Sequence, residues 1–183
     1  MKVLVTGCCG FIGSHVSIKL LELNYNVVGV DIMNNYYDVE IKEKNKNMLT
    51  EYSNFEFHKE DLTSSDIVDR IKPDKIIHLA SMAGVRYSID NPIEYVKNNI
   101  KAFVNLLDQS VKNNVLNFVY ASSSSVYGLN SKVPFSEDDN INCCNSPYAA
   151  SKRSMEVFAN TYSQLFDISL IGLRFFTVYG PWG

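Results

Sequence analysis

The chain has 183 residues, 46% of them hydrophobic, which suits one globular domain with its own core and leaves no room for a second full domain. A formal charge of −3 with no basic cluster argues against nucleic acid as the main partner, no apolar run reaches the length of a membrane span, and a first strand starting at residue 2 points to the cytoplasm. The four cysteines form two adjacent pairs, Cys8-Cys9 and Cys143-Cys144, which fit neither a zinc spacing nor a disulfide framework, so free thiols and no metal site are expected.

The run Lys2-Val3-Leu4-Val5-Thr6 is apolar and β-branched, as in a strand buried on both faces, and Gly7, Gly10 and Gly13 follow it before a helical pattern opens at Phe11. Gly7 lets the chain turn out of the strand, Gly10 lets backbone approach a pyrophosphate, and Gly13 lets the helix pack close to the sheet. The free N–H groups of that helix end face the phosphates. The next strand, Asn26–Asp31, ends in an acid that accepts from ribose hydroxyls and repels a 2′-phosphate, so the expected ligand is NAD rather than NADP.

Asn34–Thr50 reads as a loop followed by a polar surface helix. Asn54–His58 alternates as a third strand, Asp61 falls near the expected adenine, and a helix capped near Thr63 is expected to run to Ile71. Lys75–Ala80 is the fourth strand, with His78 expected as a core residue, and the small residues Ser81-Met82-Ala83-Gly84 leave room for a ligand. Apolar residues at helical spacing from Ile93 to Val111, behind Asn91 and a first-position Pro92, predict a helix over Pro92–Lys112. Val115–Ala121 is the fifth strand and runs into Ser122-Ser123-Ser124-Ser125, at the carboxyl end of a parallel strand where ligands of open α/β sheets bind. A loop over Leu129–Ser146, a helix over Pro147–Phe166 and a sixth strand over Ile168–Phe175 complete the pattern. Alternating strands and helices predict an α/β, doubly wound parallel sheet of Rossmann type, strand order 3-2-1-4-5-6, with residues 1–183 as one dinucleotide-binding domain.

The last helix carries Tyr148-Ala149-Ala150-Ser151-Lys152. Tyr and Lys four apart share a helix face, so the ammonium is expected to hold the phenol below its usual pKa of about 10 and make it a general base.

These segments resemble the extended short-chain dehydrogenase/reductases, within them the nucleotide-sugar epimerases, and among those the UDP-glucuronate 4-epimerases. The likeness rests on Thr6–Gly13, Asp31 with Asn34-Asn35-Tyr36-Tyr37-Asp38, Ala83-Gly84-Val85-Arg86-Tyr87-Ser88, Ala121–Gly128, Tyr148–Lys152 and Gly172–Gly183. The resemblance implies that Tyr148 takes a proton from a sugar 4-hydroxyl while hydride passes from C4 to NAD, that Lys152 binds the nicotinamide ribose, and that Ser123 shares the proton. The keto sugar then turns and takes hydride back on its other face. Implied cofactor contacts are Gly7, Gly10, Phe11, Ile12, Gly13, Asp31, Asp61, Leu62, Leu79, Ala80, Ser81, Asn99, Tyr148, Lys152 and Phe175. Implied substrate contacts are Arg86, Ser123, Ser124 and Thr177.

Sugar 4,6-dehydratases place Asp-Glu after the catalytic Thr, and decarboxylating relatives place Glu just before the Val; serines at Ser124 and Ser125 favour simple inversion at C4 of a UDP-sugar. The family also implies a homodimer through a four-helix bundle made from Pro92–Lys112 and Pro147–Phe166. Met82 stands where the family usually has Gln. Relatives continue past Pro181-Trp182-Gly183 with a substrate domain largely missing here, so a non-catalytic, dimerising NAD-binding domain is the competing expectation. An epimerase of UDP-galactose type or a 4,6-dehydratase is a further one.

Overall fold

A computed structural model describes residues 1–182; Gly183, the end of the matching Pro-Trp-Gly stretch, lies outside them. The elements in chain order are β1 (Lys2–Thr6), α1 (Phe11–Glu22), β2 (Asn26–Asp31), α2 (Val39–Thr50), β3 (Phe55–Lys59), α3 (Ile67–Ile71), β4 (Lys75–His78), α4 (Val85–Asp90), α5 (Pro92–Tyr95), α6 (Ala102–Lys112), β5 (Asn117–Ser123), α7 (Pro147–Phe166) and β6 (Ser169–Phe175). The six strands form one sheet in the order β3-β2-β1-β4-β5-β6, every neighbouring pair parallel. This is the doubly wound order expected from the alternation of elements.

Strand periodicity divides the core in two. Leu4, Val28 and Ile76 face one side, where Phe103, Leu106 and Leu107 of α6 and Met155 and Ala159 of α7 cover them. Val3, Val5 and Val27 face the other, under Leu21 of α1 and Leu49 of α2. Helix starts follow the chemistry of capping: the Asp38 carboxylate accepts from Glu40 N ahead of α2, and Ser146 Oγ accepts from Ala149 N ahead of α7, whose first residue is Pro147.

Several local expectations change. The helix expected from Thr63 begins only at Ile67, because Asp61 gathers the intervening chain into a turn: its carboxylate accepts from Thr63 N and its carbonyl from Ser64 N and Ser65 N. An unexpected short helix, α4, follows Gly84. The helix over Pro92–Lys112 forms, but a π-helical turn at Val96–Lys101 divides it into α5 and α6. Tyr95 and Asn99 are buried there, while Ile93 and Val96 are exposed. β5 begins at Asn117 and extends to Ser123, after which Ser124–Tyr127 coil into a 3₁₀ turn.

Cys8 and Cys9, in the turn after β1, are both fully buried. Contact with the Cys9 thiol, together with burial, keeps the Cys8 thiol well above the ordinary range. All four cysteines are free. His78 is a core residue, as expected: Nδ1 lies 2.7 Å from Thr6 Oγ1, the ring stacks on Phe103, and burial with the nearby Lys152 charge pushes its pKa down to about 3. No helix among the described residues is long and apolar enough to cross a membrane.

The turn after β1 depends on two close backbone approaches. Gly7 has φ +69°, and a Cβ there would meet Ala80 N at 2.7 Å; a Cβ on Gly13 would meet the Gly7 carbonyl oxygen at 2.0 Å. Neither neighbour is a side chain that can swing away. Gly13→Ala is therefore expected to destabilise the fold by about 1–3 kcal/mol, read as a lower midpoint in urea denaturation.

Candidate active site

At the carboxyl ends of the strands, two adjoining cavities share Gly7, Gly10, Tyr37, Leu79 and Ser81 and so form one groove. The outer half is lined by Asp31, Lys42, Asp61, Leu62 and Ala80 among others. The inner half is lined by Phe11, Ile12, Gly13, Ser123, Tyr148, Lys152 and Phe175. Ligands of open α/β sheets bind at this end, where strands on either side of β1 lead off in opposite directions.

The groove's floor is suited to a dinucleotide. No side chain caps the start of α1, whose N-cap is Gly10, so its N–H groups are free for an anion. A Cβ on Gly10 would lie 2.9 Å from the Tyr37 hydroxyl and narrow the groove. Asp31 is placed at the end of β2 by Met33 N, which donates to Oδ1 at 2.9 Å, and by Cys9 N, which donates to Oδ2 at 3.3 Å.

Beside it stands Lys42, 3.5 Å from Asp31 Oδ1, donating to Asn34 Oδ1 and lying over the Tyr37 ring. The sequence reading placed α2 on the surface and missed this: Lys42 and Asn45 are buried, and Asn45 Nδ2 donates to the Cys9 carbonyl in the phosphate loop. A lysine and an asparagine three apart inside a polar run were the available signal. Burial and the Asp31 charge push the Tyr37 phenol up to about 12.

Ser123, Tyr148 and Lys152 come together as expected, but their electrostatics differ. Lys152 is almost completely buried, and its Nζ donates to the Ala121 carbonyl at 2.7 Å and to Ser81 Oγ at 3.0 Å. Burial pushes its pKa down to about 7. Lys152 is not among the groups that set the Tyr148 phenol, which burial holds above its ordinary value against an opposing pull from the Ser123 hydroxyl. The expectation that Lys152 depresses the tyrosine is corrected accordingly. An ammonium has three donors; two are committed, and Lys152 also lines the inner cavity.

A tyrosine network that the sequence did not reveal supports Tyr148. Tyr36 Oη accepts from Gly84 N at 2.7 Å and lies 3.2 Å from Tyr95 Oη, which donates to the Gly84 carbonyl at 2.5 Å. Tyr95 in turn packs edge-on against Tyr148, with ring centroids 6.1 Å apart, and Met82 joins them.

Four expected site residues lie outside both cavities. Asn99 is buried in the π-helical turn, bonded to the backbone N–H and carbonyl of Met82 and to Ser151 Oγ. It orders the Ser81–Gly84 loop instead of lining the groove. Arg86 and Thr177 are exposed, and Ser124 is partly buried in the 3₁₀ turn. Phe176 and Val178, on either side of Thr177, do line the inner cavity. Among the described residues, no group of three or more His, Cys, Asp or Glu side chains could hold a metal ion.

Because a buried amine is more costly when protonated, the folded state gains stability relative to the unfolded chain as pH rises from about 7, the folded pKa, towards about 10.4, the unfolded one. Lys152→Met is therefore expected to raise the thermal midpoint by a few degrees at pH 7, and the gain should shrink towards pH 10; differential scanning calorimetry across pH measures both.

Comparison with known proteins agrees with this geometry. Protein CapI of Staphylococcus aureus is 48% identical over the whole chain, which covers 56% of that protein. UDP-glucuronate 4-epimerase 5 of Arabidopsis thaliana is 47% identical, again over the whole chain and 43% of the relative. The UDP-glucuronic acid 4-epimerase of Bacillus cereus, solved with UDP-glucuronic acid and NAD, superposes with a TM-score of 0.92 at 38% identity, over 99% of this chain and 58% of that one. The chain thus spans about half the length of these relatives. Residues 4–183 match the sequence family described as GDP-mannose 4,6 dehydratase, and the chain belongs to that family.

Proposed function

We propose that the chain is the cofactor-binding and proton-transferring portion of an NAD-dependent UDP-glucuronate 4-epimerase. The observation that carries this reading is a single groove in which an uncapped helix end and Asp31 lead to Ser123, Tyr148 and Lys152. Its resemblance to a UDP-glucuronic acid 4-epimerase fold solved with sugar nucleotide and NAD supports the choice of ligands.

The α1 end and Gly7–Gly13 would take the pyrophosphate, with Asp31 and Lys42 at the adenosine ribose. Bound there, NAD supplies a hydride acceptor that later returns the hydride. Tyr148, deprotonated, accepts the proton of the sugar 4-hydroxyl as the C4 hydrogen leaves with its electron pair, and Ser123 donates to the developing phenol–alkoxide pair. Lys152 fixes the geometry, joining the Ser81 loop to β5 and offering its third N–H to the cavity. Once the keto sugar has turned over, Tyr148 gives its proton back to the C4 oxygen and regains its starting state.

Ser124, which follows Ser123, and Thr177, between Phe176 and Val178, adjoin groove residues and are proposed sugar-nucleotide contacts, as is Arg86 from the family resemblance alone. Ser124 and Ser125 in place of an acid pair favour inversion over elimination. A homodimer through Pro92–Lys112 and α7 fits the exposed apolar residues Ile93 on α5, Val96 in the π-helical turn, and Val157 and Leu165 on α7. The same exposed face is what favours the second reading, a dimerising NAD-binding domain without turnover.

Incubation with UDP-glucuronate and NAD, followed by chromatography, is expected to yield UDP-galacturonate, and Tyr148→Phe should lower kcat by about 10²–10⁴-fold while still binding NAD. NAD binding without product from the unmodified chain would favour the second reading; conversion of UDP-glucose instead, or a dehydrated sugar, would favour the other family activities. Because the phenol stands above its ordinary pKa and must lose its proton to act, kcat/KM should climb as pH is raised from neutral. Ser123→Ala removes the one group that lowers the phenol, so it should displace that limb of the pH–rate profile to higher pH.

A further inference from the structure

The helix face that carries Tyr148 and Lys152 carries a third polar group one turn further on, Glu156, which the proposed chemistry leaves unused. Residues four apart stack along one face, and here three successive residues of β5 answer them. Ser123 lines the inner cavity together with Tyr148, the Ala121 carbonyl accepts from Lys152 at 2.7 Å, and Ser122 Oγ donates to Glu156 Oε1 at 2.6 Å.

Glu156 also joins β6 to this helix. Arg174 Nε donates to Oε1 at 2.9 Å and its Nη2 to Oε2 at 3.1 Å, while Arg153 Nη1 donates to Oε2 at 3.2 Å. Arg174 further lies over the Tyr127 ring and donates to the Glu137 carbonyl, which ties in the loop before α7. The glutamate side chain is 9% exposed. Burial alone would raise its pKa, but Arg174, Ser122 and Arg153 together hold it below the usual carboxylate range, so the pair is charged at neutral pH.

The partners of Glu156 have a common feature. Ser122 immediately precedes Ser123, and Arg174 immediately precedes Phe175; Ser123 and Phe175 both line the inner cavity with Tyr148 and Lys152. A mere fold staple could have bonded any residue of these strands. We propose that Glu156 is a positioning residue for proton transfer, holding Ser123 and Phe175 in register with Tyr148 by clamping the residue before each. The inference rests on the reading of Tyr148 as the proton carrier.

Glu156→Gln in the 183-residue chain tests it by three readouts: NAD affinity by calorimetry, kcat and KM with UDP-glucuronate, and the titration midpoint of Tyr148 by ζ-¹³C tyrosine NMR, assigned with Tyr148→Phe. Expected are an NAD affinity within about twofold, a kcat loss of about 10–100-fold with little change in KM, and a Tyr148 midpoint moved to higher pH as Ser123 drifts from the phenol. An unmoved Tyr148 midpoint overturns the proposal, as does a loss of thermal stability and NAD affinity together with that midpoint unchanged. If the unmodified chain shows no turnover but Glu156→Gln still moves the midpoint, the epimerase reading fails and the positioning role stands. Should Glu156→Gln not fold, Arg174→Lys, which keeps the charge but loses the two-point grip, is expected to move the midpoint in the same direction; an unchanged midpoint there overturns the proposal.

Discussion

The site depends on a buried amine. Lys152 has left water almost entirely, and a charged or half-charged group in that position is tolerable only because two oxygens from different parts of the sheet receive it, the Ala121 carbonyl of β5 and the Ser81 hydroxyl after β4. Those two segments both line the inner cavity. The desolvation that makes Lys152 costly also forces β4, β5 and α7 to a common geometry, since any displacement would leave the amine unpaired. This trade of stability for a fixed constellation is common where a fold hosts chemistry.

A second constraint is backbone proximity. Turning out of β1, passing beneath Ala80 and entering α1 requires atoms to approach closer than any side chain allows, and the glycines supply that space. Because α1 starts without a side-chain cap, its first N–H groups point into the groove and favour an anion. The phosphate loop and the Lys152 junction therefore shape the same groove, one by removing atoms and the other by tying strands together.

The fold was legible because its signals are periodic and local. Buried parallel strands read as short apolar runs, Pro147 behind Ser146 marks a helix start, and strand–helix alternation leaves little choice of topology. Ser123, Tyr148, Lys152, Asp31 and the three glycines could be picked out for the same reason, since each occurs in a short motif at a strand end or on a helix face. What could not be read depends on contacts distant in sequence. Lys42 in a polar helix looks like a solvated lysine until α2 is seen packed against the phosphate loop. The hydrogen-bonded chain of the Tyr36 and Tyr95 hydroxyls with the Gly84 backbone spans three separate segments. The raised Tyr148 phenol is not legible in the sequence because four-residue spacing on a helix does not say how deeply the hydroxyl is buried.

The distribution of the thiols has a practical consequence. Cys8 and Cys9 are buried within the phosphate loop itself, whereas Cys143 is exposed and Cys144 partly so, in the loop ahead of α7. A maleimide or iodoacetamide reagent added to the native protein would thus modify only the distal pair and leave the nucleotide cradle unlabelled. The inner pair becomes accessible only when the β1–α1 turn opens, which makes the sequence carry its own chemical clock for the unravelling of its first supersecondary unit.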